Sequence, residues 1–117
     1  MRFVVVAVAL TACNTAWKAD GFVETSSGSP IEGASVAVVC DSLTLDKTVT
    51  TETGRFDVSG SSGASRALGC SLEVRKPGYH MRTLHMTEVC FRSAKTGNYD
   101  EPCSAKDGHV ALTRDIR

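Results

Sequence analysis

Apolar residues in this chain recur at every second position over short stretches, and Gly, Pro, Ser or Asp interrupts each stretch within a few residues. A period of two is the spacing of side chains along one face of a strand, whereas a helix face needs spacings of three and four. ASVAVVC (34–40) places Val36, Val38 and Cys40 on one face. CSLEVR (70–75) sets Cys70, Leu72 and Val74 against Ser71, Glu73 and Arg75, and MRTLHM (81–86) sets Met81, Thr83 and His85 against Arg82, Leu84 and Met86. GFVET (21–25), KTVTT (47–51), FDV (56–58) and HVALT (109–113) bring the total to about seven predicted strands. The ETGR turn between 47–51 and 56–58 predicts a hairpin with Gly54 at positive φ. KPGY (76–79) has Pro77 second and Gly78 third, the order of a type II turn. DSLTLDK (41–47) reads as a connecting loop, SGSSGASR (59–66) as a polar loop, and 87–108 as a long irregular segment. No stretch has helical amphipathic spacing. The predicted fold is therefore all-β, an antiparallel two-sheet sandwich, because each sheet must bury its apolar face against another layer.

The first residues follow a different pattern. Met1 and Arg2 give a short positive start, and FVVVAVAL (3–10) is an unbroken apolar run, as in the n- and h-regions of an export signal. As a helix the run would extend only ~12 Å, against about 30 Å for a hydrocarbon core, so it does not span a membrane. Cleavage by ordinary signal peptidase after Ala12 would put Leu10 where a small residue is needed. LTAC (10–13) instead resembles the bacterial lipobox, in which Leu, two small residues and a Cys direct lipid to the sulfur before cleavage. The expected organisation is a lipoprotein signal peptide over 1–12, a lipidated tether over 13–19 and one domain over 20–117. Asn14, rather than Asp, follows the cysteine, which points to the outer rather than the inner membrane of a bacterial cell envelope. The alternative is a secreted or periplasmic protein.

Lipidation of Cys13 also accounts for the odd number of cysteines. The remaining four, Cys40, Cys70, Cys90 and Cys103, are an even set in an oxidising compartment. Their intervening lengths of 29, 19 and 12 residues, without any CxxC pair, do not fit a zinc site. Disulfides are expected, with three connectivities open. Charge is balanced at 13 Lys+Arg against 13 Asp+Glu, so there is no basic footprint for nucleic acid.

Four segments in order, GFVETSSGSPIEGASVAVV, VTTETGRFDV, LEVRKPGY and HVALT, resemble the carboxypeptidase regulatory-like domain, of the transthyretin-like (prealbumin-like) sandwich class. The residues in the places of that pattern are Gly21, Val23, Gly28, Pro30, Ile31, Gly33, Ala34, Val36, Thr51, Gly54, Phe56, Gly78 and Tyr79. The resemblance covers roughly residues 20–113 and departs from the family in its four cysteines and in the 90–103 insertion. It implies a Cys40–Cys70 disulfide, because those strands are neighbours in the family's sheet order, and so leaves Cys90–Cys103. Phe56 and Tyr79 are expected core aromatics.

Residues able to carry chemistry are few. The candidates are Tyr79, His80, His85 and His109; Tyr79, His80 and His85 together resemble the Tyr/His iron site of some intradiol dioxygenases, but His80 and His85 are five apart in an extended run and point to opposite faces. The transthyretin-like hydroxyisourate hydrolases have an early histidine and a Tyr-Arg-Gly-Ser tail, and this chain ends LTRDIR. SGSSGASR lacks the Gly-Lys-Ser/Thr ending of a phosphate loop. His80 and His109 are expected to be exposed and His85 partly buried and satisfied. The reading is a non-enzymatic, lipid-anchored envelope module with a structural or binding role, needing no cofactor. It would meet the membrane through Cys13, and an envelope protein or glycan through the stapled loop FRSAKTGNYDEP (91–102), with Phe91 and Tyr99 as contact residues. The alternative is a small transthyretin-like hydrolase or metal-dependent enzyme using His80, His85 and His109.

Overall fold

AWKADGFVET forms a single ten-residue strand, Ala16–Thr25 (β1), in a computed structural model that describes residues 16–61, 63–95, 98–99 and 108–115. Trp17, Ala19 and Val23 are buried along one side of it. The strand thus begins inside the stretch expected to be a tether, and Trp17 is only 1 % exposed. Lys18 and Asp20 broke the apolar run in the sequence, yet both occupy the outer-facing positions of the same alternation, so the period of two extends back to Ala16.

The chain continues through Ser35–Cys40 (β2), Leu43–Val49 (β3), Arg55–Gly60 (β4), a short helix Ala64–Leu68 (α1), Ser71–Arg75 (β5) and Arg82–His85 (β6). A single 3-10 turn, Met86–Glu88, precedes Cys90–Lys95 (β7), Asn98–Tyr99 (β8) and His109–Leu112 (β9). One sheet has the order β3-β2-β5-β6, and the other β4-β1-β7-β8 with β9 also on β1. The expected two-sheet all-β sandwich is present, with nine strands among the described residues rather than about seven.

β1 is the hub of the five-stranded sheet. Along one edge it pairs antiparallel with β4 from Trp17 to Phe22. Along the other, β7 covers Ala16 to Asp20 antiparallel and β9 covers Phe22 to Thr25 in parallel. This parallel pair departs from the antiparallel expectation. Gly21 stands where the partner changes, and a Cβ there would lie 2.4 Å from the Gly108 carbonyl oxygen. That oxygen accepts from the Phe22 amide at 2.9 Å.

Other differences have local causes. The connection 41–47 is mostly strand, because Asp41 (φ 48°) and Ser42 (φ 71°) both take left-handed conformations and close a two-residue β2–β3 hairpin. The ETGR turn has its expected geometry, with Gly54 at φ 82°. It joins no hairpin, however, since β3 and β4 lie in opposite sheets. The turn is pinned to β1, where the Val23 amide donates to the Gly54 carbonyl at 2.8 Å. Part of the polar loop 59–66 becomes α1, which buries Ala67. Part of the irregular segment becomes β7 and β8.

The core lies between the inner faces, with Trp17, Val23, Phe56, Val58, Val110 and Leu112 on one side and Val36, Val38, Leu72, Val74 and Leu84 on the other. Tyr79 is half-buried at its margin. Thr50, buried within it, donates its hydroxyl to the Ile31 carbonyl at 2.7 Å and accepts from the Ala34 amide at 2.8 Å. On the bulged edge strand β3, Asp46 Oδ2 accepts from the Ser59 amide at 2.7 Å and ties the two sheets at that corner.

Candidate functional site

β1 presents Lys18, Asp20, Phe22 and Glu24 to the outer face of the five-stranded sheet. Pairing sets Ser59, Lys18 and Arg92 in one cross-strand row, Asp57, Asp20 and Cys90 in the next, and Arg55, Phe22 and His109 in the third. Charge therefore alternates down the face. Arg92 Nη2 donates to Asp20 Oδ2 at 2.8 Å, and Arg55 Nη2 donates to the same oxygen at 3.3 Å. Arg55 also reaches Asp57 Oδ1 at 3.1 Å, and Lys18 Nζ lies 3.4 Å from that oxygen. Asp20 is 2 % exposed, a position a carboxylate holds only when cations and hydrogen bonds replace its water. The third row is aromatic. Phe22 stacks on the His109 ring at 5.2 Å, and the Arg55 guanidinium sits 5.8 Å from the Phe22 centroid. Glu24 Oε1 orients His109 through Nδ1 at 2.6 Å. Guanidinium, carboxylate and aromatic edge together suit hydrogen bonding and stacking with a polar partner.

The pole at the start of β1 carries the second feature. Cys40, at the end of β2, is disulfide-bonded to Cys70, just before β5, with Cα atoms 4.8 Å apart. β2 and β5 are hydrogen-bonded neighbours. A cleft of ≈ 230 Å³ lies beside the bond, lined by Val39, Asp41, Arg66 and Ser71. Cys90 is also disulfide-bonded. Its expected partner Cys103 lies outside the described residues, as does Cys13.

The histidines sit on three different parts of the fold. His80 Nε2 lies 3.8 Å from Asp115 Oδ1 at an exposed position. His85 was expected to be partly buried and is exposed, because β6 turns Leu84 inward and Thr83 and His85 outward. Its side chain accepts from the Glu88 amide while Glu88 Oε2 accepts from the His85 amide at 2.8 Å, which caps the 3-10 turn. His109 belongs to the aromatic row, and Tyr79 has the Arg114 guanidinium 5.7 Å from its ring. Among the described residues, no group of three or more His, Cys, Asp or Glu side chains is placed to hold a metal ion.

The expected binding loop is different in kind. Phe91 belongs to β7, where it is half-buried and stacks on Trp17 at 6.0 Å with the planes 14° apart. It therefore serves the core margin. Tyr99 lies in β8, and its side chain is outside the described residues. Sequence reasoning missed the outer-face cluster of Asp20, Arg55 and Arg92 and the row of Phe22 and His109. Each member is unremarkable alone, and only the register brings them together across separations of 35 residues for Asp20–Arg55, 72 for Asp20–Arg92 and 85 for Glu24–His109.

Comparison of the chain with protein-family models, curated proteins and solved structures returned no match.

Proposed function

We propose that this chain is a non-enzymatic, lipid-anchored module of the bacterial cell envelope, of the carboxypeptidase regulatory-like kind, with a structural role or a role in recognising an envelope protein or glycan. The observation that carries the module reading is the placement of the histidines, each engaged with a different local partner: Asp115, Glu88 and Glu24. The family resemblance is supported by the neighbouring β2 and β5 with their Cys40–Cys70 bond, and the anchor by the LTAC sequence ahead of Cys13. Recognition falls to the outer face of the five-stranded sheet, where Phe22, Arg55 and His109 offer stacking and hydrogen bonding beside one another.

Two experiments separate this reading from the histidine-dependent enzyme. Wild-type protein should sediment with membranes and Cys13→Ser should not; a wild-type protein that is soluble after lysis removes the anchor. Purified protein should carry no stoichiometric iron or zinc. Metal bound in the wild type and lost on replacing His80, His85 and His109 would establish the enzyme instead.

A further inference from the structure

Only Asn14 and Thr15 separate the proposed lipid site, Cys13, from the first residue of β1. Three Cα–Cα steps reach at most about 11 Å. Trp17 is held in the core at 1 % exposure, so the strand has no slack to lengthen this link without unpacking the indole. The anchor thus fixes which end of the sandwich meets the bilayer.

We infer that, resting on the anchoring reading above, the pole at the start of β1 lies against the lipid surface and the opposite pole faces away. The near pole is defined by pairing. Trp17 stands opposite Gly60 at the end of β4, and Asp46, opposite Val38 in β2, bonds Ser59. The Asp41–Ser42 turn, the Cys40–Cys70 bond and α1 therefore share the end at which β1 begins. Two of the exposed large apolar side chains, Leu43 at 54 % and Leu68 at 41 %, lie here, with exposed Arg66 on α1. Apolar side chains and a cation at one end suit an interface of lipid headgroups and acyl chains. Among the described residues the other two exposed large apolar side chains, Val49 and Met81, lie at the far pole, so the short link to Cys13, and not a count of apolar side chains, decides the orientation. The far pole carries the turns at 26–29 and 51–54, about 30 Å away along β1 at the rise of an extended strand. The outer face with Phe22 and His109 then stands upright from the bilayer, open from the side.

The orientation is read by placing a fluorophore on Ser61→Cys at the near pole or Ser27→Cys at the far pole, with Thr44→Cys as a second near-pole site should the first disturb folding. Full-length acylated protein is reconstituted into phosphatidylethanolamine/phosphatidylglycerol vesicles containing headgroup-spin-labelled lipid, with acylation of Cys13 established by mass. Several-fold stronger quenching at residues 61 and 44 than at 27 is expected. Inserting about 20 Gly/Ser residues after Asn14, a coil of roughly 25 Å, should reduce that difference. Equal or stronger quenching at 27 in acylated protein overturns the orientation and leaves the anchor standing. Absence of the acyl group removes the anchor itself, and the orientation with it.

Discussion

Asn in place of Asp20 is the sharpest probe of the fold. The substitution keeps the shape of the side chain and removes one charge, leaving Arg92, whose side chain is 17 % exposed, facing a neutral amide across 2.8 Å. Breaking a buried ion pair from one side costs roughly 3–5 kcal/mol, whereas an exposed pair contributes about 0–1 kcal/mol. Arg55, 41 % exposed, belongs to the second class, so nearly all the loss comes from Arg92. The Asn amide oxygen retains part of one hydrogen bond, which places the expected cost at about 3 kcal/mol, or a fall in Tm of roughly 12–15 °C for a domain of this size. Asp57→Asn is the matched control, because Asp57 is 46 % exposed and meets the same Arg55; it should cost under about 1 kcal/mol. Urea unfolding of both variants, at low salt and again in 1 M NaCl, gives the comparison. High salt should barely narrow the gap, since the buried pair is poorly screened. If Asp20→Asn is as stable as Asp57→Asn, the buried cluster does not hold the sheet together as argued.

Gly60→Ala should destabilise by about 1–3 kcal/mol, because its Cβ would lie 2.5 Å from Trp17 Nε1; Trp17 is the sole tryptophan, so a red-shifted emission in native buffer reports the displaced indole directly. Thr50→Val should cost about 1–3 kcal/mol by denaturant unfolding, since the Ile31 carbonyl and Ala34 amide both lose their hydroxyl partner, while Thr44→Val, at an exposed position of β3, should be near neutral. Replacing Cys40 and Cys70 together with Ala should lower stability by about 3–4 kcal/mol on the loop-entropy model, given their separation of 30 residues; a loss below about 1 kcal/mol would mean that sheet pairing alone constrains this end.

Strands flanked by strong turn chemistry were legible from sequence, and those defined by partners were not. Gly54 and Gly78 adopt the positive φ that their turns demand, and the alternation in 70–75 emerges as the buried Leu72 and Val74 of β5. The hairpin at Asp41–Ser42 escaped notice because neither residue is glycine, although both sit at positive φ. β7 escaped because its pattern, CFRSAK, has little apolar alternation and is stabilised by lying against β1. The outer-face cluster was illegible for the same reason, since Asp20 reads as an ordinary surface charge until two distant arginines arrive in register.

β1, the hub of its sheet, comes early in the chain, and its partners come late. Its neighbours begin at Arg55, Cys90 and His109, so the five-stranded sheet closes only when His109 meets Glu24, 85 residues apart. Contacts this distant in sequence make assembly slow. A ribosome delivers β1 long before β9, and for much of synthesis the strand has nothing to pair with on that edge. A protein wired this way cannot finish folding prematurely. Its five-stranded sheet stays open along that edge until β9 emerges, and β9 then acts as the clasp on β1.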